Sequence, residues 1–357
     1  MNTERRDRIY WNLARHLDRL PGGFESQDPA VERQLLERLF TPEEAELATQ
    51  LTLEREDATT IADRAGLPLE ETESRLDEMA QKGLILSVTS ENGALQYQAM
   101  PWVVGIYEFQ IDRLDDELLH MIHDYWLTRK PLERPTGPQM RTIPIGESID
   151  LHLEVLPYEQ ISALIADEDR FAVAPCICRH TAKMAGVGCE APEEACLVFG
   201  EWADYFVRTG RGRPIDNNEI KDILAHADAA NLVLQPSNSQ EAAFICCCCG
   251  CCCGMLLGLK MHPRPSEVVV NAFIAQLEPE LCEKCETCLE RCQVNALTPG
   301  LDHVVLNTVR CIGCGLCVST CPTSALTLTR KPNYQGQAPA RTFQDALRNI
   351  MEIQDTR

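Results

Sequence analysis

The sequence predicts an α+β chain of several domains, and three observations predict it. All 19 cysteines fall between Cys176 and Cys321, so the back half carries a chemistry that the front half lacks. The front half spaces its apolar residues as amphipathic helices do, and the back half interleaves helices with short apolar runs. Near the C-terminus one cysteine pattern occurs twice. At 357 residues and 45% hydrophobic composition the chain can fill two or three cores.

Residues 1–40 read as helices. Ile9, Tyr10, Leu13, Leu17 and Leu20 share one face, "PGGF" stops the run, and Leu35, Leu36 and Leu39 resume it. Thr41, Pro42 and Glu44 form the signature of a capping box. Residues 41–100 then give a helix at Ile61, Ala62 and Ala65, a turn at Gly66-Leu67-Pro68, a second helix with Leu69, Leu76, Met79 and Ala80, and a hairpin, "LILSV" and "ALQYQ" around "SENG". This order resembles a winged helix-turn-helix, which implies a DNA-reading second helix. That helix carries Glu70, Glu71, Glu73, Asp77 and Glu78 against Arg75 and Lys82, so protein docking or a structural role is favoured over DNA.

Residues 101–155, rich in proline and glycine in "KPLERPTGPQMRTIPIGESI", read as a connector. Residues 156–265 are expected to form an α/β cysteine-rich domain. Its elements are a helix over 158–166, a strand "FAVAP", a helix capped by Asp216 and a strand "LVLQP". Residues 266–330 hold the repeated cysteines, and 331–357 form a tail with an amphipathic helix over 343–353.

The formal charge of −21 disfavours nucleic acid and anionic membrane surfaces and favours a basic protein partner. No apolar run reaches the 18 or so residues of a membrane span. Arg5-Arg6 is followed by charges rather than the apolar stretch of an export signal, so a cytoplasmic protein is expected. Thiols stay reduced there, and clustered cysteines point to metal or redox chemistry. Neither G-x-G-x-x-G nor a Walker A motif occurs, and no catalytic residue or substrate site is readable.

The repeat decides the chemistry. Cys282, Cys285, Cys288 and Cys292 follow C-x2-C-x2-C-x3-C, and Cys311, Cys314, Cys317 and Cys321 repeat it 29 residues later, as Ala325 repeats Ala296 and Leu326 repeats Leu297. Three thiols at i, i+3 and i+6 on a tight loop reach three irons of one cube, while the fourth is carried away by a following helix. Zinc knuckles would leave the third cysteine of each run without a role. Residues 268–330 thus resemble a bacterial-type 2[4Fe-4S] ferredoxin domain, with "AFIAQLEPEL" and "HVVLN" as flanking strands. The resemblance implies one [4Fe-4S] cluster on Cys282, Cys285, Cys288 and Cys321 and another on Cys311, Cys314, Cys317 and Cys292. One departure stands out: Pro322 follows Cys321 as the pattern expects, but Gln293 follows Cys292.

Eleven cysteines remain. Cys176, Cys178, Cys189 and Cys196 are spaced C-x-C-x10-C-x6-C, with Arg179 and His180 beside the first pair, and "CCCCGCCC" puts seven more at 246–249 and 251–253. Neighbouring cysteines make poor disulfides, because adjacent Cα atoms lie only about 3.8 Å apart. Additional iron–sulfur clusters, a zinc or other thiolate site, and buried thiols acting as hydrophobes all fit; iron–sulfur is favoured by the ferredoxin pattern in the same chain. Consecutive thiols cannot all face one centre, so Cys248 with Cys249, or Cys252 with Cys253, are the expected ligands, and Gly250 and Gly254 let the backbone wrap closely. The tandem cysteines resemble the CCG motif of heterodisulfide reductase subunits, without that family's long spacing between paired segments. The expectation is an iron–sulfur electron-transfer protein that passes single electrons to or from a partner oxidoreductase; a redox-sensing regulator using the winged helix is the alternative.

Overall fold

The computed structural model describes residues 3–90, 92–129, 138–149, 155–166, 168–332, 334, 336 and 338–355. It divides into two compact units. The first comprises Met1–Gln139, Asp204–Gly212 and Leu347–Arg357, and the second Met140–Ala203 and Arg213–Ala346.

In the first unit, α1 (Thr3–Arg19) buries Ile9, Tyr10, Leu13 and Leu17, and α2 (Pro29–Leu39) buries Leu35, Leu36 and Leu39, as their spacing requires. Thr41 and Glu44 cap α3 (Pro42–Ala48) reciprocally, and the buried Glu44 also pairs with Lys82 Nζ at 2.6 Å. Arg5 and Arg6 pair with Glu46 and Glu37, each at 3.2 Å, in keeping with a charged helix face. Next come α4 (Ala58–Ala65), ended by left-handed Gly66, α5 (Leu69–Gln81), and an antiparallel hairpin of β1 (Leu86–Thr89) and β2 (Leu95–Gln98). Residues 102–128, expected as part of a connector, are folded instead. Asp115 caps α6 (Asp116–Thr128), whose Tyr125 stacks on Phe24 at 4.8 Å and meets Trp102 edge-on at 5.4 Å. The aromatic core outweighs the proline signal downstream, which acts only after the helix has ended.

The second unit opens on residues 140–149. This stretch is extended, as its prolines predict, but Ile143 and Ile145 are buried and its amides donate to Pro236, Leu234, Val270 and Cys314 carbonyls. The remainder of the proline-rich segment, 130–137, lies outside the described residues. The helix expected over 158–166 is shorter: a 3-10 turn at Pro157–Glu159 and then α7 (Ile161–Leu164). Next come β3 (Phe171–Pro175), α8 (Ile177–Met184), β4 (Glu194–Phe199), α9 (Gly200–Arg208), which from Asp204 on belongs to the first unit, β5 (Arg213–Ile215), α10 (Asn217–Ala229), β6 (Val233–Pro236) and β7 (Phe244–Cys248). Asp216 caps α10 through two amides. The strands form one sheet in the order β5-β3-β4-β7-β6, and every pairing is antiparallel. The expected α/β middle domain is therefore corrected to an antiparallel α+β arrangement. Three of its connections carry a helix, but each helix leads into a strand that runs antiparallel to its neighbours in the sheet, so spacing and periodicity alone do not reveal the pairing.

After β7 follow α11 (Gly254–Met261), α12 (Pro265–Val268), β8 (Phe273–Leu277), α13 (Thr287–Arg291), β9 (Leu297–Thr298), β10 (Val305–Leu306), α14 (Leu316–Ser319), β11 (Leu326–Arg330) and α15 (Phe343–Asp355). β8 pairs with β11 and β9 with β10, both antiparallel. Among the described residues no helix is long and apolar enough to cross a membrane.

Candidate metal centres

The 29-residue repeat extends to the backbone. Lys284 and Glu286 are left-handed at φ 53° and 62°; their counterparts Gly313 and Gly315 are at 67° and 76°, and Asn295 and Ser324 at 56° and 53°. These reversals curl each loop so that thiols three residues apart turn inward. One small pocket is lined by Cys282, Cys285, Cys288 and Cys321. A second is lined by Cys311, Cys314, Cys317 and Cys292. Each thus gathers three cysteines of one loop and the fourth of the other.

The donor sets fit iron–sulfur clusters. Burial pushes the Cys288 thiol up to about 11 and Cys314 up to about 12, and it raises Cys317 well above the usual thiol value, so only a strongly electrophilic metal centre would hold them as thiolates. Backbone donors are aimed at sulfur: Ala275 N–H at Cys311 Sγ (3.4 Å) and Ala296 N–H at Cys292 Sγ (3.1 Å). The two cavities differ in exposure. Cys285 lies in the open, where the Thr287 amide and hydroxyl hold its thiol below the usual value, whereas Cys311 is buried.

In the middle domain the strand geometry sorts the cysteine tract. Alternation along β7 puts Cys246 and Cys248 on one face and Cys247 on the other, and Cys246 lies opposite Cys196 of β4. Cys176 and Cys253 occupy the N-caps of α8 and α11. There the Cys253 thiolate accepts from Cys178 and Cys248 and from the amides of Leu256 and Met255, which hold it well below the usual thiol value. Cys178 lowers Cys176 in the same way, and Arg179 adds to the effect. Cys176, Cys178, Cys253 and Cys248 thus form one connected set, continued through Cys246 to Cys196.

A second set, Cys189, Cys249, Cys251 and Cys252, gathers beside it. The expected pairs Cys248/Cys249 and Cys252/Cys253 are therefore each split between the two sets. Cys251, absent from the expected ligands, joins one; its position on the turn after β7 could not be read from spacing. Arg179 is fully buried between the sets. Its guanidinium donates to the Pro192 and Cys247 carbonyls and to Cys249, whose thiol it holds at about 7 against the upward push of burial. A buried cation among thiols is what anionic, metal-bound sulfur would require. His180 faces Glu193 at 3.4 Å.

Gln293, the departure from the motif, has a partner. Its Oε1 accepts from Gly250 N–H at 2.6 Å, and a Cβ at Gly250 would fall 2.5 Å from the Gln293 carbonyl. Gly250 is thus required for the close approach of the ferredoxin loop. Gly254 has open space around it and is not.

A known 4Fe-4S binding domain family matches residues 304–327, which include Cys311, Cys314, Cys317 and Cys321. The chain therefore carries a 4Fe-4S binding domain. Over 71 residues it is 39% identical to hydrogenase-4 component A of Escherichia coli (strain K12), a match that covers 19% of this chain. The chain spans about a third (33%) of the length of that curated relative. No solved structure matches the chain.

Proposed function

We propose that this protein holds two [4Fe-4S] clusters, one on Cys282, Cys285, Cys288 and Cys321 and one on Cys311, Cys314, Cys317 and Cys292, and relays single electrons to or from a partner oxidoreductase. Two cavities, each lined by one such set of four thiols, carry this reading. Bound clusters supply one-electron chemistry; the chain's part is to anchor them, to aim amides at their sulfurs and to set their exposure. The relative named for a hydrogenase component supports a redox enzyme as the partner.

The partner's docking face is basic. Around the open cavity Glu278, Glu280, Glu283, Glu286 and Glu290 are exposed, and they add to a chain charge of −21. The helix-turn-helix and hairpin of residues 58–98 form a winged-helix-like module used for protein contact, since the acidic residues of α5 would repel phosphates. Cys176, Cys178, Cys248 and Cys253 supply a further iron–sulfur centre, and the protein works in the cytoplasm.

Anaerobic purification with iron and sulfide counted per chain, followed by EPR of the reduced protein, tests the core of this reading. At least about eight irons and the signature of two interacting cubanes are expected. About four irons, or zinc in place of iron on the ferredoxin cysteines, would sink it.

A further inference from the structure

Four thiols of the middle domain converge more tightly than either ferredoxin set. The Sγ atoms of Cys189, Cys249, Cys251 and Cys252 all lie within 4.8 Å of one another, and among the described residues no other group of metal-ligating side chains does so. Cys189 to Cys249, Cys189 to Cys252 and Cys251 to Cys252 are each 3.8 Å. That is nearly twice a disulfide bond of about 2.05 Å, so the sulfurs are neighbours without being bonded.

The spacing has a direct chemical meaning. A tetrahedral ion with metal–sulfur bonds of about 2.3 Å keeps its sulfurs about 3.8 Å apart, since a tetrahedron's edge is about 1.6 times its centre-to-corner distance. A cubane instead spreads its four thiolates over four irons, and the sulfurs stand much farther apart. The eight ferredoxin cysteines of the same chain form no such close group, which provides an internal contrast.

The backbone explains how residues so close in sequence share a centre. The Cys253 amide donates to the Cys249 carbonyl at 3.1 Å, closing a turn that brings Cys249, Cys251 and Cys252 round to one side, and Cys189 meets them from the loop after α8. Buried Arg179 at Cys249 offsets part of the negative charge that four thiolates carry around a divalent ion. We infer that Cys189, Cys249, Cys251 and Cys252 hold one four-coordinate thiophilic metal ion, zinc or a single iron, separate from every iron–sulfur cluster of the chain. Binding releases the thiol protons to solvent, and the filled tetrahedron leaves no open position, as in structural sites.

The test uses the full chain, purified anaerobically, with zinc, iron and sulfide counted for the wild type and for Cys189→Ser and Cys251→Ser. One zinc per chain, or one iron without matching sulfide, is expected in the wild type and lost from both variants, while cluster iron and sulfide stay constant. Zinc and iron are told apart by the count and by the EPR of a lone high-spin ferric ion. Cys251 is exposed, so its variant should fold; independently, wild type produced with cobalt should show intense tetrahedral thiolate–cobalt absorption that C251S lacks. Loss of about four irons with their sulfide from either variant would place a cluster here and overturn the inference. So would metal counts and a cobalt spectrum unchanged by the substitutions. The ferredoxin clusters are read separately, from the iron and sulfide that C251S retains.

Discussion

The two cysteine loops of the repeat share ligand spacing and backbone conformation but sit in opposite surroundings. In the first, Glu283 to Thr287 are exposed, and the left-handed positions are held by Lys284 and Glu286. In the second those positions are Gly313 and Gly315, both buried. The glycines answer to packing. A Cβ on Gly313 would fall 2.4 Å from the Phe273 carbonyl oxygen, and one on Gly315 would fall 2.0 Å from Ser148 Oγ. A solvent-facing loop can accept the modest strain of a left-handed side chain, whereas a buried loop has no room for the side chain. One motif thus yields an outer site open to solvent and an inner one enclosed by its neighbours.

Gly313→Ala should break the inner loop most severely. With a positive φ and a backbone oxygen in the way, it should cost about 3 kcal/mol or more and remove one cluster, seen as half the cubane iron lost and one EPR component gone. Equal loss from both sites would end the distinction. Gln293→Leu leaves the buried Gly250 amide without its acceptor, a cost of about 1–3 kcal/mol in anaerobic thermal melts, with the inner cluster's EPR altered and the outer one's unchanged. Reversing the outer rim with Glu283→Lys and Glu286→Lys should slow electron transfer to a small basic haem protein about tenfold at low salt, a difference that shrinks as salt is added. A rate insensitive to both would move the docking face elsewhere. The smallest effect belongs to Glu286→Gly, which relieves the left-handed side chain and should raise stability by about 0.5 kcal/mol with iron unchanged. A clear loss there would mean that the outer loop is packed after all.

Local chemistry made much of this legible. The capping box at Thr41, the Asp216 cap and the strands beside the repeat all depend on residues near one another in sequence or on a fixed spacing. The cysteine tract did not yield in the same way. Its division turns on β7 ending at Cys248 and on the turn that follows, and β7 exists because β4 and β6 pair with it, a long-range event with no periodic signature. α6 was hidden for a related reason: its apolar face answers to Phe24 and Trp102, far away in the chain.

Arg291 shows what the repeat has become within this protein. Its buried guanidinium joins the Leu316 carbonyl of the inner loop to Asp228, in the last turn of the middle domain's α10, and to Asn231 just after it. Arg310 reaches the Lys260 and His262 carbonyls at the end of α11 in a similar way. Cut out as residues 266–330, the repeat would lose the Asp228 and Asn231 partners of buried Arg291, the Lys260 and His262 acceptors of Arg310, and the wall that Ser148 and Gly250 give the inner loop. A module that looks portable by its motif is thus not a detachable part, and its inner half belongs to the domain that precedes it.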